Sequence, residues 1–300
     1  MRIAAAAYPL DFLDDWNAYA RKTRAWVEEA AGQGADLLVF PEYGRMELAT
    51  LDGAEVAGDL EGSLLAASRW TAESDALTDG LARAHGLHIL APSGPVFDDS
   101  TGGGGARPVN RAGLFGPGGP LGVQDKQVMT RFEREEWDVV PGGPLRVFDT
   151  TLGPMGVLIC YDAEFPLLGR ALIEAGVEIL LVPSCTEAMA GYSRVRVGAM
   201  ARALEGQCVV VHAPTVGAAD WSPAVDMNTG AAAIYGPPDL GFPETGILAQ
   251  GGLNAPGWVM ADVDRAAIAR VRRDGAVLGH AHWPESASRV RVSGDTAESP

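Results

Sequence analysis

Residues 3–8 form an unbroken apolar run, and short strand-like segments, most of them largely apolar, return at 36–40, 87–91, 110–115, 122–126, 145–149, 155–160, 178–182 and 208–213. Further ones lie at 231–235, 246–249 and 257–263, and 95–97 opens another. Runs of this length, closed by Gly, Pro or Asp, predict strands buried on both faces. Between them the apolar period changes to that of a helix. Trp16, Tyr19, Ala20, Trp26, Val27 and Ala30 recur over 14–31 and stop at Gly32 and Gly34, the glycines ending the helix. Helices are likewise predicted over 64–84, in two pieces, and over 165–175 and 190–206. Strands and helices alternate without a linker or a repeat, which predicts a single α/β domain over 1–279. Helices should cover sheets whose strands are apolar throughout. Residues 280–300 read as a polar tail that packs on a neighbour or stays disordered. The glycine-rich 98–108 reads as an exposed, mobile hairpin loop. The cluster at 116–120 lacks the Lys-Ser/Thr of a phosphate loop and carries two prolines without N–H groups, so it predicts a hairpin turn.

One strand carries candidate chemistry. The apolar run 155–159 ends at Cys160, and Asp162, Glu164 and Pro166 follow at once. Two readings stand side by side. Cys160 is a small buried hydrophobe at the end of a core strand. Or it is a nucleophile at a strand-to-helix corner, with Asp162 and Glu164 in the first helical turn as caps and the helix N-terminus lowering the thiol pKa. Glu42 and Lys126 also stand directly after predicted strands. Taken alone, each reads as a surface charge, in a loop-end ion pair or in solvent.

Composition narrows the classes. Three hundred residues with 47 % hydrophobic and 21 % charged content are those of a soluble globular chain with a large core. The formal net charge of −16 argues against nucleic acid or an anionic membrane as partner, because both would be repelled. Three dispersed cysteines, Cys160, Cys185 and Cys208, fit neither a disulfide framework nor a zinc site. Cys185 and Cys208 follow or open strands without the carboxylate context of Cys160, and read as structural. His85, His88, His212, His280 and His282 show no ligand spacing, so no metal and no cofactor are expected. A Cys-His-Asp arrangement through His212 has no motif around it. The first apolar run stops at Leu10 and Asp11, too short for a secretory signal, and no stretch has transmembrane length. A reducing cytoplasm is the default compartment.

Several segments in one order then carry a family resemblance. Leu37-Leu38-Val39-Phe40-Pro41-Glu42 resembles the strand-Pro-Glu motif of the nitrilase superfamily of carbon–nitrogen hydrolases. Lys126, with Thr130, Glu133 and Trp137, is similar to that family's lysine segment, in which a second glutamate lies seven positions on. The stretch from Gly156 to Pro166 matches its nucleophile motif. Leu181-Val182-Pro183-Ser184 and the run from Ala201 to Gln207 resemble the segments that follow. The match covers roughly residues 1–275.

The resemblance implies a four-layer α-β-β-α sandwich that pairs through one helical layer into a homodimer or a higher homo-oligomer. It also implies a mechanism. Cys160 would attack a small amide to give a thioester and release ammonia or an amine. Glu42 would move the protons, and Lys126 would stabilise the oxyanion together with the backbone N–H of Tyr161. Glu133 would be the second glutamate, although Glu135 and Glu136 stand beside it. Arg202 and Glu205 read as a structural ion pair. The Tyr-Asp after Cys160 resembles amidases and carbamoylases, whereas the segment from Lys126 to Trp137 is closer to nitrilases. Arg131, Arg134, Arg194 and Arg196 are candidates for a substrate carboxylate. Amide hydrolysis is thus the leading reading. Hydrolysis of a nitrile or an N-carbamoyl amide is the alternative, and a non-catalytic binding or scaffold protein is the reading from another class.

Overall fold

The computed structural model describes residues 1–97 and 107–290. Most of the segment read as a hairpin loop, and the last ten residues of the tail, lie outside the described residues.

Strands run β1 (Arg2–Pro9), β2 (Leu37–Val39), β3 (His88–Leu90), β4 (Gly94–Val96), β5 (Val109–Gly116), β6 (Gly119–Asp125), β7 (Phe148–Thr150), β8 (Gly153–Val157), β9 (Ile179–Ser184) and β10 (Val209–Ala218). Four short ones follow: β11 (Met227–Asn228), β12 (Ala233–Tyr235), β13 (Ile247–Gln250) and β14 (Gly257–Asp262). Helices are α1 (Trp16–Gly32), α2 (Ala54–Ala57), α3 (Leu60–Arg69), α4 (Thr71–His85), α5 (Arg131–Glu135), α6 (Pro166–Glu174), α7 (Met189–Gly206), α8 (Arg265–Asp274) and α9 (Gly279–Ala287).

The strands hydrogen-bond in the order β4-β5-β3-β2-β1-β10-β9-β8-β7, with β6 beside β5 and β14 beside β1. β1 is the joint. It pairs in parallel with β2 through Ile3 to Ala5, and with β10 only at its far end, Tyr8 opposite Thr215 and Pro9 opposite Val216. Two sheet halves therefore meet at one corner and fold over each other. The period-2 alternation of a strand sorts the side chains of β1 accordingly. Ile3, Ala5 and Ala7 enter a core shared with Val157, Leu181 and Val211 of the other half. Ala4, Ala6 and Tyr8 face Val27, Ala30, Leu64 and Leu81 of α1, α3 and α4. On the far side α6 and α7 add Leu172, Ile173, Val195, Ala199 and Ala203 to the first core. The layers are helix, sheet, sheet, helix, as the resemblance implied.

Local signals agree with this. Asp15 caps α1 by accepting from the Ala18 N–H, and Tyr19, Thr23, Val27 and Ala30 form its buried stripe. The 116–120 cluster is the β5–β6 hairpin turn. Two differences stand out. α8 was not expected, because half of its ten residues are charged and only Ala267, Ile268 and Val271 are buried. And residues 280–287, expected to be tail, belong to α9. The His280 N–H donates to Gln207 Oε1 at 3.0 Å, and the Arg170 guanidinium lies 4.3 Å from the centre of the Trp283 ring. Such contacts are invisible to pattern reading because both partners are far away in sequence.

Candidate active site

β2, β6 and β8 each end near one edge of the sandwich, and the residues just beyond them converge. Glu42 follows Phe40-Pro41 after β2. Lys126 is the first residue past β6, its backbone N–H bonded to the Asn110 carbonyl at 2.9 Å. Cys160 opens a short 3-10 turn, Cys160–Glu164, after β8. Lys126 Nζ donates to Glu42 Oε1 at 2.7 Å and to both Glu133 oxygens at 2.8 and 2.7 Å. The Cys160 thiol donates to the Cys185 carbonyl oxygen at 3.8 Å, and the Glu42 carboxylate acts on it electrostatically. All four groups are at least 96 % buried, their relative exposures being 1 % for Glu42, 1 % for Lys126, 2 % for Glu133 and 4 % for Cys160.

The choice among the three neighbouring glutamates is settled by a capping box. Thr130 caps α5, its hydroxyl accepting from the Glu133 N–H while Glu133 Oε2 accepts from the Thr130 N–H at 2.8 Å. That reciprocal pair turns Glu133 inward, onto Lys126. Glu135 points to solvent and pairs with Arg131 at 2.7 Å.

Electrostatics separates the two carboxylates. Burial alone would raise Glu133, but Lys126 outweighs it, and hydrogen bonds from Thr130 and Tyr43 add to the effect, so its pKa lies below the ordinary value. Glu42 is pushed up to about 7, by burial first and then by the negative Glu133, despite Lys126. Burial would lower the ammonium of Lys126; Glu133 and Glu42 reverse that and hold it well above its usual range. One carboxylate therefore balances the lysine, and the other is poised to exchange a proton near neutrality.

Cys160 departs from the expected state. The helix begins only at Pro166, so its N-terminus does not lie at the sulfur. Burial and the negative Glu42 push the thiol well above its ordinary value. That direction favours a neutral S–H near Glu42 over a free thiolate. Cys160 also adopts φ +51°, in the left-handed region, which costs a residue with a side chain about 1–2 kcal/mol. Neighbours hold the turn in place. Arg202, on α7, donates from Nη1 to the Ala163 carbonyl at 3.1 Å and pairs through Nε with Glu205 at 3.0 Å, the structural pair expected. A Cβ on Gly198 would stand 2.7 Å from that same carbonyl, so only glycine lets α7 approach so closely.

Asp162 caps the 3-10 turn that it belongs to, accepting the Ile159 N–H, and not an α-helix; Glu164 makes no cap. Asp162 is buried, which pushes its pKa up to about 6, and it accepts backbone N–H bonds from Ile159, Gln127 and Val128. Glu164 stands 3.5 Å from Arg194. Three further residues were missed. Tyr43 OH donates to Glu133 Oε1 at 2.7 Å, Asn110 Nδ2 donates to Glu42 Oε1 at 3.0 Å, and the Cys185 N–H donates to Glu42 Oε2 at 2.9 Å. Cys185, read as structural, lines the site. Only a strand position for Asn110 and the Tyr after Pro-Glu hinted at them. Cys208 is buried against the Arg202 carbonyl. His212 is buried, bonded to Ser184 Oγ at 2.9 Å and pushed down to about 3, so it is a neutral core imidazole.

Above these groups opens a cavity of 530 Å³. Its floor is Glu42, Lys126, Glu133 and Cys160; Phe132, Trp137, Tyr161 and Val195 contribute apolar wall. Arg131 and Arg194 reach its rim, whereas Arg134 and Arg196 are not among its lining residues. Arg134 instead donates to the Met129 carbonyl at 2.9 Å. Among the described residues no group of three or more His, Cys, Asp or Glu is placed to hold a metal ion, and no helix is long and apolar enough to cross a membrane.

The sequence profile of the carbon-nitrogen hydrolase family matches residues 2–273. The chain belongs to that family. It is 31 % identical over 277 residues to "Probable hydrolase YhcX" of Bacillus subtilis (strain 168), covering 92 % of this chain and 52 % of that protein. The chain thus spans about half the length of that relative. It is 27 % identical over 261 residues to "Omega-amidase NIT2" of Danio rerio, covering 84 % of each. Among solved structures, Saccharomyces cerevisiae Nit3, a member of branch 10 of the nitrilase superfamily, shares the fold with a TM-score of 0.70 at 21 % identity, covering 91 % of this chain and 93 % of that one.

Proposed function

We propose that this carbon-nitrogen hydrolase cleaves the C–N bond of a small amide through a thioester on Cys160. One observation carries the reading: a carboxylate of raised pKa, bonded to a fully buried ammonium, lines a single cavity together with a thiol, though the three are remote along the chain. Glu42 takes the thiol proton as sulfur adds to the carbonyl carbon, so charge never has to rest on a buried free thiolate. The oxygen becomes negative beside Lys126 and the backbone N–H of Tyr161, donors held in place before the reaction. The C–N bond breaks as Glu42 returns the proton to nitrogen, and ammonia or an amine leaves. Water then gives a proton to Glu42 and adds to the thioester, freeing the acid and restoring the thiol. Glu133 keeps Lys126 charged and oriented. The amidase relative supports an amide over a nitrile.

Ammonia release from matched primary amides, N-carbamoyl amino acids and nitriles tests this. Amides should turn over fastest; a protein that hydrolyses only nitriles, or none of the three, would refute it. The pH dependence carries a sign. The base is the ionised form of Glu42, whose pKa is raised to about 7, so kcat/KM should climb tenfold per unit below that pH and level off above it. Cys160 and Lys126 are both pushed upward, so no fall is expected until strongly alkaline pH. An acid limb near 4.5 would show that Glu42 is not the base.

For assembly we propose a homodimer through the α6–α7 layer. Val197, Ala201 and Leu204 stand at i, i+4 and i+7 on α7, with Val197 62 % and Leu204 52 % exposed, a stripe that a second copy would cover. Sedimentation of the purified chain as a monomer would refute it. The three free cysteines suit a reducing compartment such as the cytoplasm.

A further inference from the structure

We propose that Asp162 is a positioning residue that locks the nucleophile turn onto the lysine loop, an inference that rests on the amide-hydrolase reading above. The two catalytic groups it relates sit on different halves of the curled sheet. Lys126 follows β6, and Cys160 follows β8. β6 bonds to β5 at one end of the strand order, and β8 lies near the other. Backbone pairing between sheet halves at β1 and β10 is too remote to set their separation to a fraction of an ångström. A buried carboxylate does so directly. Asp162 Oδ1 accepts from the Val128 N–H at 2.8 Å and the Gln127 N–H at 3.2 Å. Oδ2 accepts from the Gln127 N–H at 3.1 Å and, within its own turn, from the Ile159 N–H at 3.2 Å.

Both carboxylate oxygens are thus acceptors to N–H groups that no strand or helix satisfies, on either side of the pair to be aligned. The residue before the thiol and the two residues after the lysine hang from one side chain. The turn it holds is the one that keeps Cys160 at φ +51°. Asn in its place offers one acceptor and turns an N–H₂ toward an N–H donor. Ser at this position still reaches Ile159 N but is too short to span to Gln127 and Val128, so it separates the local role from the bridging one.

Displacement of a reacting atom by about 1 Å costs on the order of 100-fold in rate. Asp162→Asn and Asp162→Ser should therefore each lower kcat on a primary amide by about 30-fold or more, with KM within threefold. Asp239→Asn is the control. Asp239 also accepts three backbone N–H bonds, from Leu240, Ala276 and Val277, but lies outside the residues that line the cavity. Its variant should keep kcat within twofold. The proposal is overturned if Asp162→Asn keeps kcat within threefold, if the loss falls on KM, or if Asp239→Asn loses kcat as strongly. It is also overturned if Asp162→Ser matches the unmodified chain. Alkylation of Cys160 by iodoacetamide at pH 8, followed by mass spectrometry, supplies a readout without turnover. Both Asp162 variants should slow it at least tenfold by moving sulfur off Glu42, and an unchanged rate counts against the bridge. An unmodified chain without amidase activity but with an Asp162-dependent alkylation rate would refute the function and leave the bridge standing.

Discussion

Cys160→Ala is expected to abolish amide turnover, by at least about 10⁴-fold in kcat, because the nucleophile has no substitute within the cavity. The nearest other thiol, Cys185, offers a bond to Asn228 at 3.3 Å and a pKa pushed up to about 12 by burial, so it remains inert. The fold should survive. Only one sulfur atom is lost, and alanine adopts the left-handed backbone at a similar cost, so destabilisation should stay near 1 kcal/mol. Ammonia assays together with thermal unfolding check both halves. Measurable activity at a tenth of the original level would remove Cys160 from the mechanism.

Lys126→Ala should differ in kind, losing activity and stability together. In the intact site the ammonium stands between Glu42 and Glu133 with bonds of 2.7 to 2.8 Å. Without it two buried carboxylates are left facing each other. Breaking one partner of a buried ionic cluster costs about 3–5 kcal/mol, and in a chain of this length that lowers the melting temperature by about 5–8 °C. The cost should shrink on acidification, since protonation of either glutamate relieves the repulsion. Glu135→Ala supplies the contrast. Its exposed pair with Arg131 is worth less than about 1 kcal/mol, so turnover and melting should barely move. Equal behaviour of the two variants would mean that the lysine does not bind the carboxylates as described.

How much of this was written in the sequence depends on how far apart the interacting residues lie. The apolar runs placed nearly every long strand, since burial on both faces leaves a local trace. Glu42, Lys126 and Cys160 were legible because each follows such a run within a short motif. Glu133 was legible in part, and the Thr130 cap that selects it is itself a three-residue signal. Tyr43, Asn110 and Asp162 were not recognised as parts of the site. Their partners lie 90, 68 and about 35 positions away, and nothing local reports such contacts. The thiol was misjudged for the same reason. A strand followed by acidic residues and proline suggested a helix dipole, whereas the charge that governs the sulfur arrives from Glu42, 118 residues earlier in the chain (160 minus 42).

A neutral sulfur has a consequence for the resting protein. Peroxide and other oxidants attack thiolates, and they do so in proportion to the ionised fraction. On the thioester reading, a sulfur that burial and Glu42 favour as S–H should be a poor target for sulfenic acid formation. On that reading the carboxylate that keeps the resting sulfur protonated is also the group that takes its proton when an amide arrives.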